Sequence, residues 1–347
     1  MTSSALTLWV PNLLTPAHIA EAGGALEGKR FSALETLLAK ADKLPKDKAH
    51  QISFADNASY LFHQKSTLPV APTTAIVDLE SFDPSYFWLR VDPVHLIPDR
   101  DTLVLIPGEG LGLQDDEAKA LVEAFNKHFE QDRVELELGS NLHWYIRILQ
   151  PIDVQTHSLE AVSYQSIQDA MPEGNAATYW RQLMNEVQML FFTHPVNEER
   201  RSQGLPEING VWVWGEGLIR TEDIYARQDA VLAGDFAYLK GLAKLSQSRF
   251  TKMPDTYPTW QKFMVDNPSS EQMVVLDEAM TDMTEDDWVS LVGKLEENWF
   301  APILSALRNG SIHSLLLDLG MNHRYYLTPN HLKKFWRWKK SIQKYTD

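Results

Sequence analysis

The stretch Tyr179–Gly217, YWRQLMNEVQMLFFTHPVNEERRSQGLPEINGVWVWGEG, sets the frame for reading this chain. Apolar residues at Trp180, Leu183, Met184, Val187, Leu190 and Phe191 recur at helical spacing, so one face of a helix is turned to a core. Asn175 is placed to cap its start. Pro195 drives His194 out of the right-handed helical region. This predicts that the helix stops near Thr193 and that His194, Asn197 and Arg200 project from the turn that follows. Val211 and Val213 then alternate with Trp212 and Trp214 as in a strand. Gly215 and Gly217 let the backbone turn sharply or approach a ligand closely.

Composition bounds the rest. The 347 residues are enough for two domains or one large domain with an insertion, and 44% hydrophobic content supplies a core. A net charge of -15 argues against general nucleic-acid binding, which needs a positive field, but leaves room for an anionic small molecule held by a few converging arginines. With no cysteine there is no disulfide, no thiolate nucleophile and no cysteine-ligated zinc. The N-terminus carries no positive charge ahead of its short apolar run, and no run reaches the roughly 18 residues of a membrane span. The expectation is a cytoplasmic protein.

Upstream, Leu6 to Val10 reads as a buried strand, Ser32 to Lys40 and Ala55 to Phe62 as helices, and Thr74 to Asp78 as a strand. WLRVDPVHLIPDRDTLVLIPG reads as a strand from Phe87 to Val91, a turn carrying Asp92, Pro93 and His95, and a strand from Thr102 to Ile106. Gln114 to Phe129 is an amphipathic helix, and strands follow at Val134 to Leu138 and Trp144 to Leu149. After Gly217 the reading gives a strand at Ile224 to Ala226, a helix at Phe236 to Leu245 and a strand at Gln272 to Asp277. Next comes a helix capped by Thr284 and Asp287 that Pro302 kinks or splits, then a strand pair at His313 to Leu319 and Arg324 to Leu327. A terminal helix carries Phe335, Trp336 and Trp338 among lysines; docking of its aromatics is the plainer reading, and contact with an acidic partner or membrane surface the other. The sum is an α/β core interrupted by an α+β insertion.

WLRVDPVHLIPDRD, DDEAKALVEAF, WYIRIL and the NEVQM to WGEG segment occur here in an order that resembles the substrate domain of archaeal-type cofactor-independent phosphoglycerate mutases, members of the alkaline phosphatase superfamily. The whole chain is similar, too, to the RpfE-type regulatory proteins of proteobacteria, which share WLRVDPVHL and the NEVQM to WGEG segment. The resemblance implies a degenerate alkaline-phosphatase-like core from residues 1–85 and 218–347, with an inserted substrate-type domain at 86–217. It also implies two metal ions, manganese or zinc, an Asp directly after the first strand, a Ser on a Gly-Ser-Asp-like turn, and Asp and His ligands in the last third. Here the first strand runs into Val10, Pro11 and Asn12, and Ser53, Ser59 and Ser66 lack that context. The expectation is therefore no metal, with Asp277, Asp318 and His323 as fallback ligands; Asp282, Asp286 and Asp287 read as a solvated turn and cap.

For binding, Arg200 and Asn197, with Arg147 from the WYIRIL strand and His194, are the candidates to hold an anion such as a phosphorylated acid, since arginine suits bidentate anion binding. Pairing of Arg200 with a nearby glutamate is the alternative. His95, Arg100, Gly215 and Gly217 are weaker candidates, and Trp212 and Trp214 read as packing residues. Three functions stay open: a phosphoglycerate-mutase-like protein acting by ligand binding or regulation, an active metal-dependent mutase or phosphohydrolase with rearranged ligands, and an interaction protein engaging a protein partner without a small ligand.

Overall fold

The computed structural model describes residues 4–22, 24–46, 53–100, 102–132, 134–277 and 283–345. Asp101 and Asp282 lie outside them. The strands are β1 (Ser4–Trp9), β2 (Asp42–Pro45), β3 (Phe87–Asp99), β4 (Thr102–Pro107), β5 (Leu136–Leu138), β6 (Trp144–Ile148), β7 (Gly210–Gly217), β8 (Ala230–Ala233), β9 (Arg249–Thr251), β10 (Glu271–Val275), β11 (Ile312–Asp318) and β12 (His323–Leu327). The chain divides into two compact units, residues 1–51 with 226–347, and residues 52–225.

The first unit is built on a mixed sheet of order β2-β12-β11-β1-β10-β8-β9. β1 pairs in parallel with β10 on one side and β11 on the other, while β12 and β2 close one edge antiparallel. Helices cover this sheet, so its central strands carry apolar runs such as Ala230–Ala233, AVLA, and Leu315 to Leu317, LLL. The helix Ser32–Lys40 has no capping side chain of its own at Phe31. Glu296 supplies it, accepting from the Ala33 and Leu34 N–H groups at 2.6 and 2.9 Å, a carboxylate where the helix dipole favours one. Glu296 opens a π turn, Glu296–Phe300, that runs into the helix Ala301–Arg308. The helix that starts after Thr284, Glu285–Leu295, is thus split from Ala301–Arg308 by the π turn just before Pro302, which sits in the first turn of the second segment where its missing N–H costs little.

The second unit has an antiparallel sheet in which β3 carries β7 along one edge and β6 followed by β4 along the other. The expected turn at Asp92, Pro93 and His95 is instead the middle of β3. Pro93 is tolerated because it falls between the residues paired to β6, Phe87–Arg90, and those paired to β4, Val94–Asp99. One sheet face packs on the helices Asp115–His128 and Ala177–Phe192, through Leu121, Phe125, Trp180 and Val187. Ala176, not Asn175, occupies the cap of the latter helix, and no side chain bonds there.

Residues 53–85 pack with this unit rather than with the core. Val70–Asp78 is a helix, not the expected strand; a short apolar run fits either, and here Ala71 and Ala75 meet Trp88 and Tyr145 on the second face of the sheet. Below it lies a buried polar network. Arg90 forks onto both Asp92 oxygens at 2.8 and 2.7 Å with its guanidinium over the Tyr145 and Trp214 rings, and Trp214 Nε1 donates to Asp92 at 2.7 Å. Asp78 accepts from the Tyr145 hydroxyl at 2.5 Å and lies 2.8 Å from His143 Nδ1. Ile224 to Ala226 is not a strand: the Gln64 side chain satisfies both the N–H and the carbonyl of Tyr225, and the strand begins at Ala230.

Two consequences are measurable. A Cβ at Gly217 would sit 2.4 Å from the Pro69 ring, so Gly217→Ala is expected to lower the unfolding free energy by about 1–3 kcal/mol, read as a drop in urea midpoint at unchanged slope. Burial alone would push the Asp78 carboxyl up, but the His143 and Tyr145 contacts, with the His143 and Arg90 charges, leave it below its ordinary 3.8. A depressed acid stabilises the fold above that ordinary value, and the contribution fades as pH falls through the folded pKa. Wild type should therefore lose more stability than Tyr145→Phe on titration from pH ~5 to ~3, compared by denaturation at each pH.

Candidate functional site

In open α/β sheets ligands bind beyond the carboxyl ends of the strands. At that edge of the first unit, Trp9, the last residue of β1, is level with Asp318, the last of β11. Asp318 has no exposed surface. Its Oδ1 accepts from Lys46 Nζ at 2.7 Å and the Gly320 N–H at 3.1 Å, and its Oδ2 accepts from Arg324 Nε at 3.1 Å. Lys46 is brought there because its own N–H continues the β2 edge to the Asn322 carbonyl at 3.0 Å. Burial pulls the Lys46 ammonium below its ordinary pKa; the Asp318 charge opposes that shift and Arg324 adds to it.

The loops at this edge are laced together. Val10 N–H donates to Asp318 O and Leu14 N–H to Leu319 O, at 2.8 and 2.7 Å. Trp288 Nε1 anchors the loop after β1 through the Leu13 carbonyl at 2.8 Å. Gly320 lies so close to Asn12 that a Cβ would fall 2.7 Å from its backbone, and its φ of +83° is one that glycine adopts without strain. The residues that follow β1, where the resemblance calls for a carboxylate, are Val10, Pro11 and Asn12.

Two other acids end neighbouring strands, Asp235 after β8 and Asp277 after β10. Burial raises the Asp277 carboxyl, and the Asp235 charge adds to the shift. Asp277 and Asp318 belong to strands on opposite sides of β1, which puts them about 10 Å apart at strand spacings of ~4.8 Å. A two-metal centre needs shared ligands around ions about 3.5–4 Å apart. The strand between offers Val10, Pro11 and Asn12, His323 opens β12, and among the described residues no three His, Asp or Glu side chains are grouped to hold an ion. The described residues at this edge do not fit the two-ion centre. Of the serines, Ser53 caps the helix Phe54–Leu61 and Ser59 is buried, accepting from the Leu68 N–H, and both belong to the second unit.

The residues singled out in the central segment are placed otherwise than expected. Pro195 ends one helix by starting another, Pro195–Ser202, with His194 as its cap accepting from the Val196 N–H at 3.3 Å. Burial lowers the His194 pKa. Asn197 and Arg200 thus lie on a helix, one turn apart, facing inward. Asn197 is fully buried and spends its amide on the Phe191 and Ile208 carbonyls and the Ile208 N–H, each at 2.8 Å. Arg200, 1% exposed, donates to Pro206 O at 2.7 Å, Glu117 at 2.7 Å and Leu111 O. Both act as braces of the segment, with no free donor turned to solvent.

Arg147 pairs with Glu137 at 3.1 Å over the Tyr86 ring. Arg100 is exposed in the β3–β4 turn at φ 53°. His95 lies within β3, its Nδ1 buried without a hydrogen-bond partner. Gly215 and Gly217 admit Val70 and Pro69 against β7, which is a packing role and not a phosphate cradle. Sequence reasoning missed Lys46 and Arg324. Lys46 stands in a polar stretch with no local signal, and its partner is 272 positions away. It also missed the Asp78–His143 pair, which joins the end of a helix to the residue just before β6 across 65 positions.

No family model matches this chain. A probable 2,3-bisphosphoglycerate-independent phosphoglycerate mutase of Geobacter sulfurreducens is 28% identical over 153 residues, 43% of this chain and 37% of its own length. The 2,3-bisphosphoglycerate-independent phosphoglycerate mutase of Methanothrix thermoacetophila is 34% identical over 92 residues, 25% of this chain and 23% of its own length. The chain thus spans well under half the length of these curated relatives. Among solved structures, the PH0037 protein from Pyrococcus horikoshii superposes with a TM-score of 0.55 at 14% identity, over 94% of this chain and 85% of that one, which shows a shared fold. The chain is distantly homologous to archaeal-type 2,3-bisphosphoglycerate-independent phosphoglycerate mutases of the alkaline phosphatase superfamily.

Proposed function

We propose that this protein keeps a mutase-like ligand surface without the two-metal phosphoryl-transfer centre and acts by binding or regulation, the role that its RpfE-type resemblance implies. One observation carries the reading: both oxygens of Asp318, the strand-end carboxylate best placed to hold a metal, are taken by Lys46, Arg324 and a backbone N–H. Lys46 keeps 15% of its side chain exposed and so presents an ammonium at the strand ends. The ligand class that suits such a site is a small anion, a phosphorylated acid in the first instance.

A second reading, an active metal-dependent mutase or phosphohydrolase with rearranged ligands, draws on the Asp235 and Asp277 carboxylates, whose mutual repulsion a cation would relieve. Elemental analysis after dialysis against manganese and zinc separates the two. The proposed reading expects metal far below one ion per chain, and near-stoichiometric metal would favour the enzyme. On the same sample, calorimetry with 3-phosphoglycerate should show binding that Lys46→Met weakens about tenfold or more, since a hydrogen bond to a charged group contributes about 1.5–3 kcal/mol. Binding untouched by Lys46→Met would remove the strand ends as the site, and no binding at all would leave a protein partner as the ligand.

A further inference from the structure

Residues 331–341, HLKKFWRWKKS, carry five cations, Lys333, Lys334, Arg337, Lys339 and Lys340, and no acid, on a chain of net charge -15. The terminal helix expected here does not form; a 3-10 turn, His331–Lys333, is followed by irregular backbone. Phe335, Trp336 and Trp338 are not docked but stand 80%, 60% and 81% exposed.

The backbone beneath them is held firmly. Lys40 Nζ donates to the Lys334 and Arg337 carbonyls at 2.6 and 2.8 Å, and Arg337 Nη1 donates to the Lys40 and Ala41 carbonyls at 2.9 and 2.6 Å. Asp42 takes Lys334 and the other Arg337 nitrogen at 3.0 and 2.7 Å, and Ile342 and Tyr345 are buried just beyond. The rings are thus presented from a braced support rather than left on a loose tail. Asp42 accounts for Lys334 and Arg337, whereas Lys333, Lys339 and Lys340 form no ion pair among the described residues; Lys333 and Lys339 bond only the neutral Asn330 and Ser32 side chains.

We propose that this segment seats the protein on an anionic lipid bilayer, with Phe335, Trp336 and Trp338 entering the headgroup region and Lys333, Lys339 and Lys340 lying against the anionic headgroups. Charge complementarity selects the occupant's sign, and the pairing of Trp rings with lysines is the composition that membrane interfaces favour. Size decides between a bilayer and an acidic protein. Three partly exposed rings of about 150–250 Å² each offer well under the ~800 Å² that a stable protein interface takes from each partner. A bilayer demands no shape complement and draws on area and charge together. The chain's overall negative charge does not oppose this, since charges more than about 8–10 Å away are screened at physiological salt.

The test is sedimentation of the full chain with large vesicles, either phosphatidylcholine alone or phosphatidylcholine with about a third phosphatidylserine. Wild type is expected to pellet with the mixed vesicles and stay in solution with the neutral ones. Lys339→Gln/Lys340→Gln should weaken partitioning about fivefold per lysine removed. Phe335→Ala/Trp336→Ala/Trp338→Ala should abolish it, while an unchanged thermal midpoint shows that the fold persists. Failure of wild type to pellet with mixed vesicles, equal pelleting with both lipids, or unchanged pelleting of the triple variant would each overturn the proposal. Loss of vesicle binding by wild type alongside capture of an acidic protein would assign the surface to that partner instead.

Discussion

A carboxylate removed from water must be neutralised where it sits, and at the end of β11 that requirement organises the first unit. Asp318 is fully buried, so an uncompensated charge there would cost several kcal/mol. Lys46 and Arg324 meet the requirement from opposite sides in sequence, one before the insertion and one after it. Their convergence ties β2 to β12 and fixes the turn at Gly320, which in turn rests on Asn12. A metal ion could neutralise the same carboxylate, but a lysine and an arginine already in contact with its oxygens compete with it for the same lone pairs.

The second unit obeys the same rule with different partners. Arg90 and Asp92 neutralise each other beneath a helix, with Tyr145 and Trp214 closing over the guanidinium, and Arg200 meets Glu117 and two carbonyls inside the central segment. Both arginines sit in the stretches that look most like a site, WLRVDP and HPVNEERR. Polar residues at regular places in apolar text are what a ligand site needs, and they are equally what a buried network needs. Burial separates the two: Arg200 has every arm of its fork occupied and almost no surface, so its chemistry is internal.

What was legible in the sequence followed periodicity. The helices at Ser32–Lys40, Asp115–His128 and Ala177–Phe192 and the strands at β1, β4, β7 and β11 carry unambiguous patterns and lie where the pattern puts them. The failures are of two kinds. Val70–Asp78 is a short apolar run whose state depends on what it packs against, and the C-terminal aromatics follow a helical rhythm that no partner surface completes. The site failed for another reason. Asp318 was visible as an acid ending an apolar strand, but Lys46, which holds one of its oxygens, comes from 272 positions away, and only the register of β2, β12 and β11 brings it there.

The same distinction governs what homology implies about activity. A fold shared over 94% of the chain at 14% identity shows that the sheet order and the packing that supports it tolerate wholesale substitution. Activity tolerates far less, because phosphoryl transfer through two metals depends on a few carboxylates at fixed strand ends. In this chain the middle strand of the set, β1, ends in Val10, Pro11 and Asn12, and the acid across from it is held by side-chain cations. What the exposed part of the Lys46 ammonium offers is a donor suited to an anion, and the proposed binding role rests on that group rather than on the shared fold.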